Sequence, residues 1–477
     1  MQIVSENTIA DTDVDMHWCS EEFGDVKFGD KRLEARLVDT AAKLAAQPMA
    51  PINQACDDWA DTKATYRLFD NEKVTPAKIL QPHQVRTQER MRSQPLVLAI
   101  QDTTYLNYTH HPKTSGLGPI GTKKQKQQGL VMHSTLAMTP VGLPLGLLTQ
   151  TIWMRAENED RPSKAELKKR PIEEKESYKW LKALQETVAL APAEPQLVSV
   201  CDREADIYEY FSLAEQLETN ILVRATQNRL LVDIEAGKLW DTVATEPIAG
   251  HLKVEVPAQN GEPAREAIVA VRFRSVTLKP PQRPKFPDKD PLPEITINAV
   301  LVQEVNPPAT PLDWRLLTNV PVNSFEEAVE CIRWYRIRWH IEVYHKVLKS
   351  GCNVEDCRLE TADRLIRFLS LFSVIAWRLY WLTHMNRHHA DAPCTTILTD
   401  HEWRALYATV EHTTLPPEQI PTIGEATIWI AQLGGFLARK GDGDPGVTVI
   451  WRGWHRLHDI STIWLLFHPP SKLVGNS

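Results

Sequence analysis

Two short apolar runs, each followed closely by an aspartate, constrain the fold of this chain most strongly. Residues 96–100 are Leu-Val-Leu-Ala-Ile and precede Asp102, and residues 197–201 continue directly into Asp202. Apolar strands separated by helical stretches are typical of an α/β sheet that is covered on both faces. Because ligands gather at the carboxyl ends of the strands in such sheets, we predict that both aspartates lie at a functional edge.

The periodicity of apolar residues changes along the chain and divides it into three predicted domains. Helical spacing from residue 30 to about residue 92 predicts a helical domain over residues 1–80. The α/β domain would cover residues 81–385, and period-two alternation at about 227–314 predicts a β-rich insertion within it. Residues 386–477 are predicted to form a helical C-terminal domain that could serve self-association.

Local signals refine this outline. Thr75 and Pro76 are the residue types that begin a helix, and Pro82 is predicted to end or kink that helix. Six prolines in residues 280–293 predict a loop that cannot join a sheet interior. Ser324, with a glutamate three residues later as a capping box, predicts one long helix to about residue 350.

The charge distribution is informative only at the local scale. The chain carries 54 basic and 61 acidic residues, a net charge of −7, which by itself argues against a nucleic-acid partner. Fields act within a Debye length of about 8–10 Å, however. Residues 113–126, around Lys123, contain lysines and no acid, and residues 333–349 hold five cations against Glu342. A solvated charged face would explain either segment, but their position beside the carboxylates favours DNA binding.

The most membrane-like stretch is residues 365–382. Arg367 and Arg378 interrupt it, and the uncharged part between them is too short to span a bilayer, so we predict a buried helix. The first residues have neither the charged nor the apolar region of a signal peptide. We therefore expect a cytoplasmic protein.

The cysteines suggest no disulfide framework, because there are seven of them, scattered through a large chain. Cys352 and Cys357, with His384, His388 and His389 downstream, raise the possibility of a zinc site. The cysteine spacing is at the long end of zinc patterns and no second cysteine pair follows. Reduced cysteines are the favoured interpretation.

Residues 335–349 concentrate charged and phenolic side chains around one glutamate. If this segment is a helix, Tyr335, Arg338, Glu342, Lys346 and Lys349 share one face. The alternative is an exposed salt-bridge ladder, which contributes only about 0.2–0.5 kcal/mol per pair. Two-metal phosphoryl transfer needs converging carboxylates, and a glutamate from a packed helix can complete a set with the two aspartates. Such hard oxygen ligands suit magnesium or manganese.

Four motifs follow one another along the chain. Residues 100–104 are Ile-Gln-Asp-Thr-Thr, residues 201–207 are Cys-Asp-Arg-Glu-Ala-Asp-Ile, Trp314 follows the insertion, and Tyr335 opens the pattern Tyr-x2-Arg-x3-Glu-x6-Lys. In this order they resemble the motifs of DDE transposases of the insertion-sequence-four family, and the resemblance covers nearly the whole chain. It implies a ribonuclease H-like catalytic core that is interrupted by the β-rich insertion and flanked by helical domains.

The resemblance also implies a role for individual residues. Asp102, Asp202 and Glu342 would bind two Mg²⁺ ions, for which Mn²⁺ can substitute. The residues implied to contact DNA are Lys31, Arg32, Arg36, Arg224, Trp314, Tyr335, Arg338, Lys346 and Lys349. The implied partners are transposon-end DNA, target DNA and a second copy of the chain. Residues 386–477 would be the dimerisation domain, and the aromatic segment around Trp451 and Trp454 would join the two protomers. The implied activity is cut-and-paste transposition by strand cleavage, hairpin formation and strand transfer.

Several alternatives stay open on the sequence alone. A non-catalytic DNA-binding regulator would occupy transposon ends without cutting, and a metal-dependent nuclease would cut without joining. Trp314 would be a core residue by composition, whereas the resemblance makes it a stacking partner for a flipped base. The charged residues after Asp202 (Arg203, Glu204 and Asp206) are interpreted as a local ion-pair network that supports it.

Overall fold

The computed structural model describes residues 14–122, 124–156, 169–232, 237–256, 264–282, 291–306 and 310–469, together with residues 166 and 308. Lys123, at the centre of the basic segment 113–126, lies outside the described residues. Residues 283–290, the middle of the proline-rich loop, also lie outside the described residues.

The N-terminal region is helical, as predicted. It contains α1 (Val14–Phe23), α2 (Lys31–Ala46), α3 (Ile52–Ala55), α4 (Trp59–Asp70) and α5 (Pro76–Arg92). Asp30, Asp58 and Thr75 begin α2, α4 and α5, because each side chain accepts a hydrogen bond from a backbone N–H of the first turn. The helix does not end at Pro82, since α5 continues through this buried proline to Arg92; a kink at Pro82 stays a prediction. Tertiary packing of the helix outweighs the loss of one internal hydrogen bond.

A single mixed sheet forms the centre of the protein. Its strands are β1 (Leu96–Asn107), β2 (Gly118–Ile120), β3 (Gln127–Met138), β4 (Pro144–Trp153), β5 (Gln196–Cys201), β6 (Asn220–Arg224), β7 (Gly250–Val256), β8 (Arg265–Leu278), β9 (Ile295–Glu304) and β10 (Asp313–Thr318). The order across the sheet is β2-β3-β1-β5-β6-β10-β9-β8-β7, and β4 pairs with β3. Strands β1, β5 and β6 run parallel to one another. The α/β class is confirmed, and the arrangement is compatible with a ribonuclease H-like core between helical domains.

The β-rich segment extends this sheet and does not form a separate one. β10 returns antiparallel to β6, with Leu317 opposite Val223, and β9, β8 and β7 follow outward. On the other side of β1, the long strands β3 and β4 were not singled out by sequence periodicity. β3 is buried along almost its whole length, so it lacks the alternation that marks a half-exposed strand.

Helices cover both faces of the sheet. They include α6 (Tyr178–Leu190), α7 (Tyr208–Gln216), α8 (Leu239–Ala244), α9 (Phe325–Ile337), α10 (Trp339–Lys346) and α11 (Ala362–His388). On one face Trp180 of α6 packs edge-on against His133 of β3, with ring centroids 4.7 Å apart. On the other, Gln150 of β4 donates a hydrogen bond to Ser373 of α11 over 2.8 Å.

The long helix predicted from Ser324 is present but interrupted. Ser324 caps α9 as expected. At the junction between α9 and α10, two backbone N–H groups bond to the carbonyl three residues earlier, as in a 3-10 turn. Arg338 N–H donates to Tyr335 O at 3.1 Å, and Ile341 N–H donates to Arg338 O at 3.3 Å. A π-turn follows at Val347–Gly351. Because a π-turn adds a residue to one turn, Lys349 leaves the face that carries Glu342.

The C-terminal region is helical, as predicted, with α12 (Asp400–Val410), α13 (Ile423–Leu433) and α14 (Val447–Phe467). Trp451 and Trp454 are each only 5% exposed, so their indoles pack inside their own chain, and the expectation that the segment around them joins two protomers stays a prediction. The exposed apolar side chains of α14 are Ile463, Leu466 and Phe467 at its end.

Among the described residues, one helix, Ala362–His388, is long and apolar enough to cross a membrane. Its most apolar window is 78% buried inside the protein, which agrees with the predicted core helix. All seven cysteines are free thiols, so the prediction of no disulfide framework is confirmed.

Candidate active site

Asp102 and Asp202 lie at the same level on neighbouring strands. β1 and β5 are parallel and pair Ile100 with Val200, so each aspartate is two residues beyond one paired position. One carboxylate oxygen of each is held by a local backbone donor. Thr103 N–H binds Asp102 Oδ1 at 2.8 Å, and Glu204 N–H binds Asp202 Oδ1 at 2.8 Å.

Glu342 approaches from α10 and forms an ion pair with Arg338 one turn earlier. The Arg338 side chain is 15% exposed and that of Glu342 is 36% exposed. The contact is the i,i+4 pair of the salt-bridge alternative. It is not an ordinary surface pair, however, because the same guanidinium also acts on the charges of Asp102 and Asp202.

The charges of Asp202 and Glu342 both act on Asp102. Its pKa is raised to about 7: burial is the largest cause, the Thr103 N–H and Arg338 oppose it, and the charges of Asp202 and Glu342 add to it. Burial also raises the pKa of Asp202. Both aspartates therefore lie in surroundings that disfavour their negative charge, an arrangement typical of functional sites.

The donor set has the chemistry that a magnesium or manganese ion requires, namely carboxylate oxygens from converging elements. A cation would also relieve the repulsion that raises the pKa of Asp102. Among the described residues, however, no group of three or more Asp, Glu, His and Cys side chains is already arranged to hold a metal ion. The carboxylates fit the ion by chemistry, and Arg338 binds one oxygen of Glu342, Oε1. The same observation gives no support to a zinc site at the cysteines and histidines.

An aromatic and cationic group lies beside the carboxylates. Trp314 of β10 and Tyr335 of α9 meet edge to face, with ring centroids 5.7 Å apart. Arg224, at the end of β6, donates a hydrogen bond to the backbone oxygen of Asp313 at 3.3 Å, and Arg338 lies 6.0 Å from the Tyr335 ring centroid. Burial raises the pKa of Tyr335, and Arg338 and Arg224 oppose this. The structure thus brings together four of the predicted DNA-contacting residues.

Trp314 is neither fully buried nor free of the core. It is half-buried and packs on the edge of the main hydrophobic core, so part of its indole faces solvent beside Tyr335. This position is compatible with a stacking surface, and core packing accounts for only part of the side chain.

The two predicted lysines of this segment differ in environment. Lys346 is exposed on α10. Lys349 lies in the π-turn, where burial lowers its pKa and the charge of Glu355 opposes this. The predicted stripe from Tyr335 to Lys349 is therefore not one continuous face.

In the N-terminal domain, Lys31 and Arg32 are exposed at the start of α2. Arg36 is occupied, because its guanidinium binds Asp39 at 2.9 Å and Asp61 of α4 at 2.6 Å. The structure therefore presents Lys31 and Arg32 to a ligand and ties Arg36 to its own domain.

The residues after Asp202 find partners outside their own segment. Glu204 meets Lys179 of α6 at 3.3 Å. Asp206 pairs with Arg229 and accepts hydrogen bonds from the backbone N–H groups of Thr226 and Gln227, each at 2.7 Å. The predicted network thus connects α6 and the segment after β6, and it is not confined to residues 203–206.

Trp339 escaped sequence reasoning, whereas the sequence interpretation of His345 is a helix-face residue and not a general base. Trp339, three positions before Glu342, is 57% exposed on α10. His345, three positions after Glu342, is buried and has its Nδ1 at 4.0 Å from Asp102 Oδ2. Helical spacing from Glu342 places both on nearby faces, and this was the signal that could have identified them.

Two protein-family models match the ends of the chain. The Transposase DNA-binding family matches residues 15–74, which include α2 with Lys31 and Arg32. The Transposase Tn5 dimerisation domain matches residues 374–462, from within α11 to α14. The sheet with Asp102, Asp202 and Glu342 lies between them. A transposase DNA-binding domain before this α/β core and a Tn5-type dimerisation domain after it support a Tn5-like transposase.

Proposed function

We propose that this transposase cuts and joins DNA itself, by metal-dependent phosphoryl transfer at Asp102, Asp202 and Glu342, and so moves its element by cut-and-paste transposition. One observation carries the proposal. Two half-buried aspartates stand level, Asp102 in β1 and Asp202 directly after its parallel neighbour β5, and a helix brings Glu342 within electrostatic reach of Asp102.

The three carboxylates would hold two magnesium ions, for which manganese can substitute. When bound, such ions activate the attacking oxygen and stabilise the leaving oxygen of a phosphodiester. The remaining chemistry belongs to the chain. Arg338 neutralises Glu342 in the absence of substrate, and a DNA phosphate would compete for the same guanidinium. Entry of DNA would then release Glu342 toward the aspartates and leave Arg338 on the phosphate.

Tyr335, Lys346 and Lys349 would add phosphate contacts on the same side of the sheet. Arg224 would contact DNA at the end of β6, and Lys31 and Arg32 would contribute to end recognition from α2. Trp314 would receive a flipped base during hairpin formation, since half of its indole is already covered by Tyr335 and the core edge. Dimerisation would hold both transposon ends before cutting.

Nicking assays on an end-containing duplex test the proposal. Asp102→Asn, Asp202→Asn and Glu342→Gln should each abolish cleavage while end binding persists, because binding rests on phosphate contacts made elsewhere. Manganese should support cleavage and calcium should not, since calcium prefers longer and looser coordination.

The matched control is Glu326→Gln, which removes an exposed carboxylate from the first turn of α9 and should leave the rate unchanged. Cleavage by Glu342→Gln at the parent rate would remove this residue from the site. A parent protein that binds ends and never cuts them would be a regulator, and one that cuts without joining would be a nuclease.

A further inference from the structure

His345 is a buried side chain beside the carboxylates, and the mechanism proposed above does not use it. It belongs to α10, three residues after Glu342, and is 5% exposed. Its Nδ1 atom lies 4.0 Å from Asp102 Oδ2. The other oxygen of Asp102, Oδ1, accepts the hydrogen bond from Thr103 N–H. His345 therefore faces the carboxylate oxygen that the backbone donor leaves open.

The contact between His345 and Asp102 is not an ion pair. Burial lowers the pKa of His345 to about 3, and the charge of Lys349 acts in the same direction. The imidazole is therefore neutral, so one ring nitrogen carries a proton and the other presents a lone pair. The nitrogen that carries the proton decides whether Asp102 meets a donor or a lone pair.

The surroundings of the ring favour one of its two tautomers. Nε2 is buried and has no hydrogen-bond partner among the described residues. A proton on Nε2 would leave a buried N–H donor unpaired, which is rare in folded proteins, and would turn the Nδ1 lone pair toward the negative carboxylate. A proton on Nδ1 avoids both costs, because the donor then faces Asp102 Oδ2 and only a lone pair stays unpaired.

The place of His345 on α10 couples it to Glu342. Its 4.0 Å separation from Asp102 is about 1 Å longer than a hydrogen bond. Residues three apart on a helix lie on the same side of it. A movement of α10 toward β1 that brings Glu342 closer to Asp102 would therefore also bring His345 within hydrogen-bond distance of Oδ2.

We infer that His345 is a positioning residue, whose Nδ1–H donates to Asp102 Oδ2 and so orients this carboxylate for metal binding. The inference rests on the proposed function and deepens it. A carboxylate has about four lone-pair positions on its two oxygens, so Oδ2 can accept from His345 and still bind a cation. Loss of a hydrogen-bond partner of a metal ligand typically lowers metal affinity by about 10–100-fold.

The protonated nitrogen of His345 can be measured without metal or DNA. Nitrogen-15 NMR of the full-length protein, labelled at histidine, distinguishes the two tautomers, and His345→Asn identifies the signal by removing it. The spectra are recorded at about pH 8.5, above the pKa of Asp102 of about 7, so that the carboxylate acts only as an acceptor. We expect the proton on Nδ1. A proton on Nε2 would overturn the inference.

Two amide variants separate the position of the donor from the volume of the side chain. Asparagine places its amide nitrogen near the position of Nδ1, whereas glutamine extends its amide toward the position of Nε2. With Mn²⁺ as the probe in titration calorimetry, His345→Gln should raise the Kd about tenfold and His345→Asn should stay within about twofold of the parent. Equal affinities in the two variants would overturn the inference. A thermal melt accompanies each variant, and the tautomer of the parent decides if His345→Gln unfolds.

The matched control is His455→Leu in α14, which removes another histidine whose Nδ1 is buried with no hydrogen-bond partner among the described residues. It should bind Mn²⁺ as the parent does. In nicking assays, His345→Gln should need about tenfold more magnesium for half-maximal cleavage and should approach the parent rate at saturation. A lower rate with an unchanged magnesium requirement would indicate a structural role and overturn the inference.

The measurements also separate this inference from the proposed function. A parent protein that binds no Mn²⁺ would contradict the metal-dependent mechanism. The tautomer would still decide the role of His345, since a proton on Nδ1 supports its bond to Asp102 and a proton on Nε2 excludes it.

Discussion

Removing one negative charge from the carboxylate site should make the protein more stable. Burial raises the pKa of Asp102 from 3.8 to about 7, so folding disfavours its ionised form. A group whose pKa rises on folding contributes stability below its unfolded pKa, and that contribution is lost as the pH rises through the folded pKa. At about 1.4 kcal/mol per pH unit, the ionised carboxylate costs the metal-free protein about 4 kcal/mol at pH 8.

Asp102→Asn keeps the shape of the side chain and an oxygen for the Thr103 N–H, and it removes the charge. We therefore expect its free energy of unfolding to exceed that of the parent by up to about 4 kcal/mol at pH 8 and by less than about 2 kcal/mol at pH 5. Denaturant unfolding followed by tryptophan fluorescence, in the presence of a chelator, measures both differences.

Magnesium supplies a further readout. The ion should stabilise the parent and not the asparagine variant. It should therefore reduce the difference in the free energy of unfolding between the two proteins at pH 8. An asparagine variant that is less stable than the parent at pH 8 would refute the reasoning, because it would mean that Arg338 and the local donors already compensate the charge. A difference independent of pH would point to packing and not to ionisation.

Three further predictions address other parts of the molecule. Glu22 is more deeply buried than Asp102, but Arg90 and His83 outweigh its desolvation and lower its pKa to about 2. Glu22→Gln should therefore lower the free energy of unfolding by about 3 kcal/mol at pH 7, and this loss should shrink as the pH falls from 4.5 toward 2. Glu89→Gln, in an exposed pair, should lose less than about 1 kcal/mol, and equal losses would contradict the assignment. Trp314→Ala should slow hairpin formation and spare the first nick, since stacking on the indole contributes about 1–3 kcal/mol to holding a flipped base. If nicking and hairpin formation slow equally and the melting temperature falls by a large amount, Trp314 is a core residue. Replacing exposed Leu466 and Phe467 with serine should weaken self-association in sedimentation and stop paired cleavage while end binding persists, and a monomer that still cuts both ends efficiently would reject a role for the end of α14 in dimerisation.

Local sequence patterns were sufficient for the elements that depend on neighbouring residues. The apolar runs before Asp102 and Asp202 predicted buried strands, and Asp30, Thr75 and Ser324 marked the starts of helices. Patterns failed in β3, where burial of both faces removes the alternation of apolar and polar residues. They also failed at Pro82, where packing of the helix overrides the tendency of proline to end a helix. The sequence predicted a helical C-terminal domain but not that Trp451 and Trp454 are buried within it, because composition does not distinguish the inside of a chain from its interface.

The sequence by itself determined that carboxylates would follow neighbouring strands and that a glutamate would stand among cations on a helix, because these features depend on spacing along the chain. Only the tertiary structure decided their relations in space. The parallel register of β1 and β5 sets the aspartates level, the π-turn moves Lys349 off the Glu342 face, and Asp61 from another helix occupies Arg36. The return of β10 to β6 brings Trp314 to Tyr335. Each of these contacts joins segments whose separation in sequence carries no signal, since their free energy depends on distances that exist only once the chain has folded.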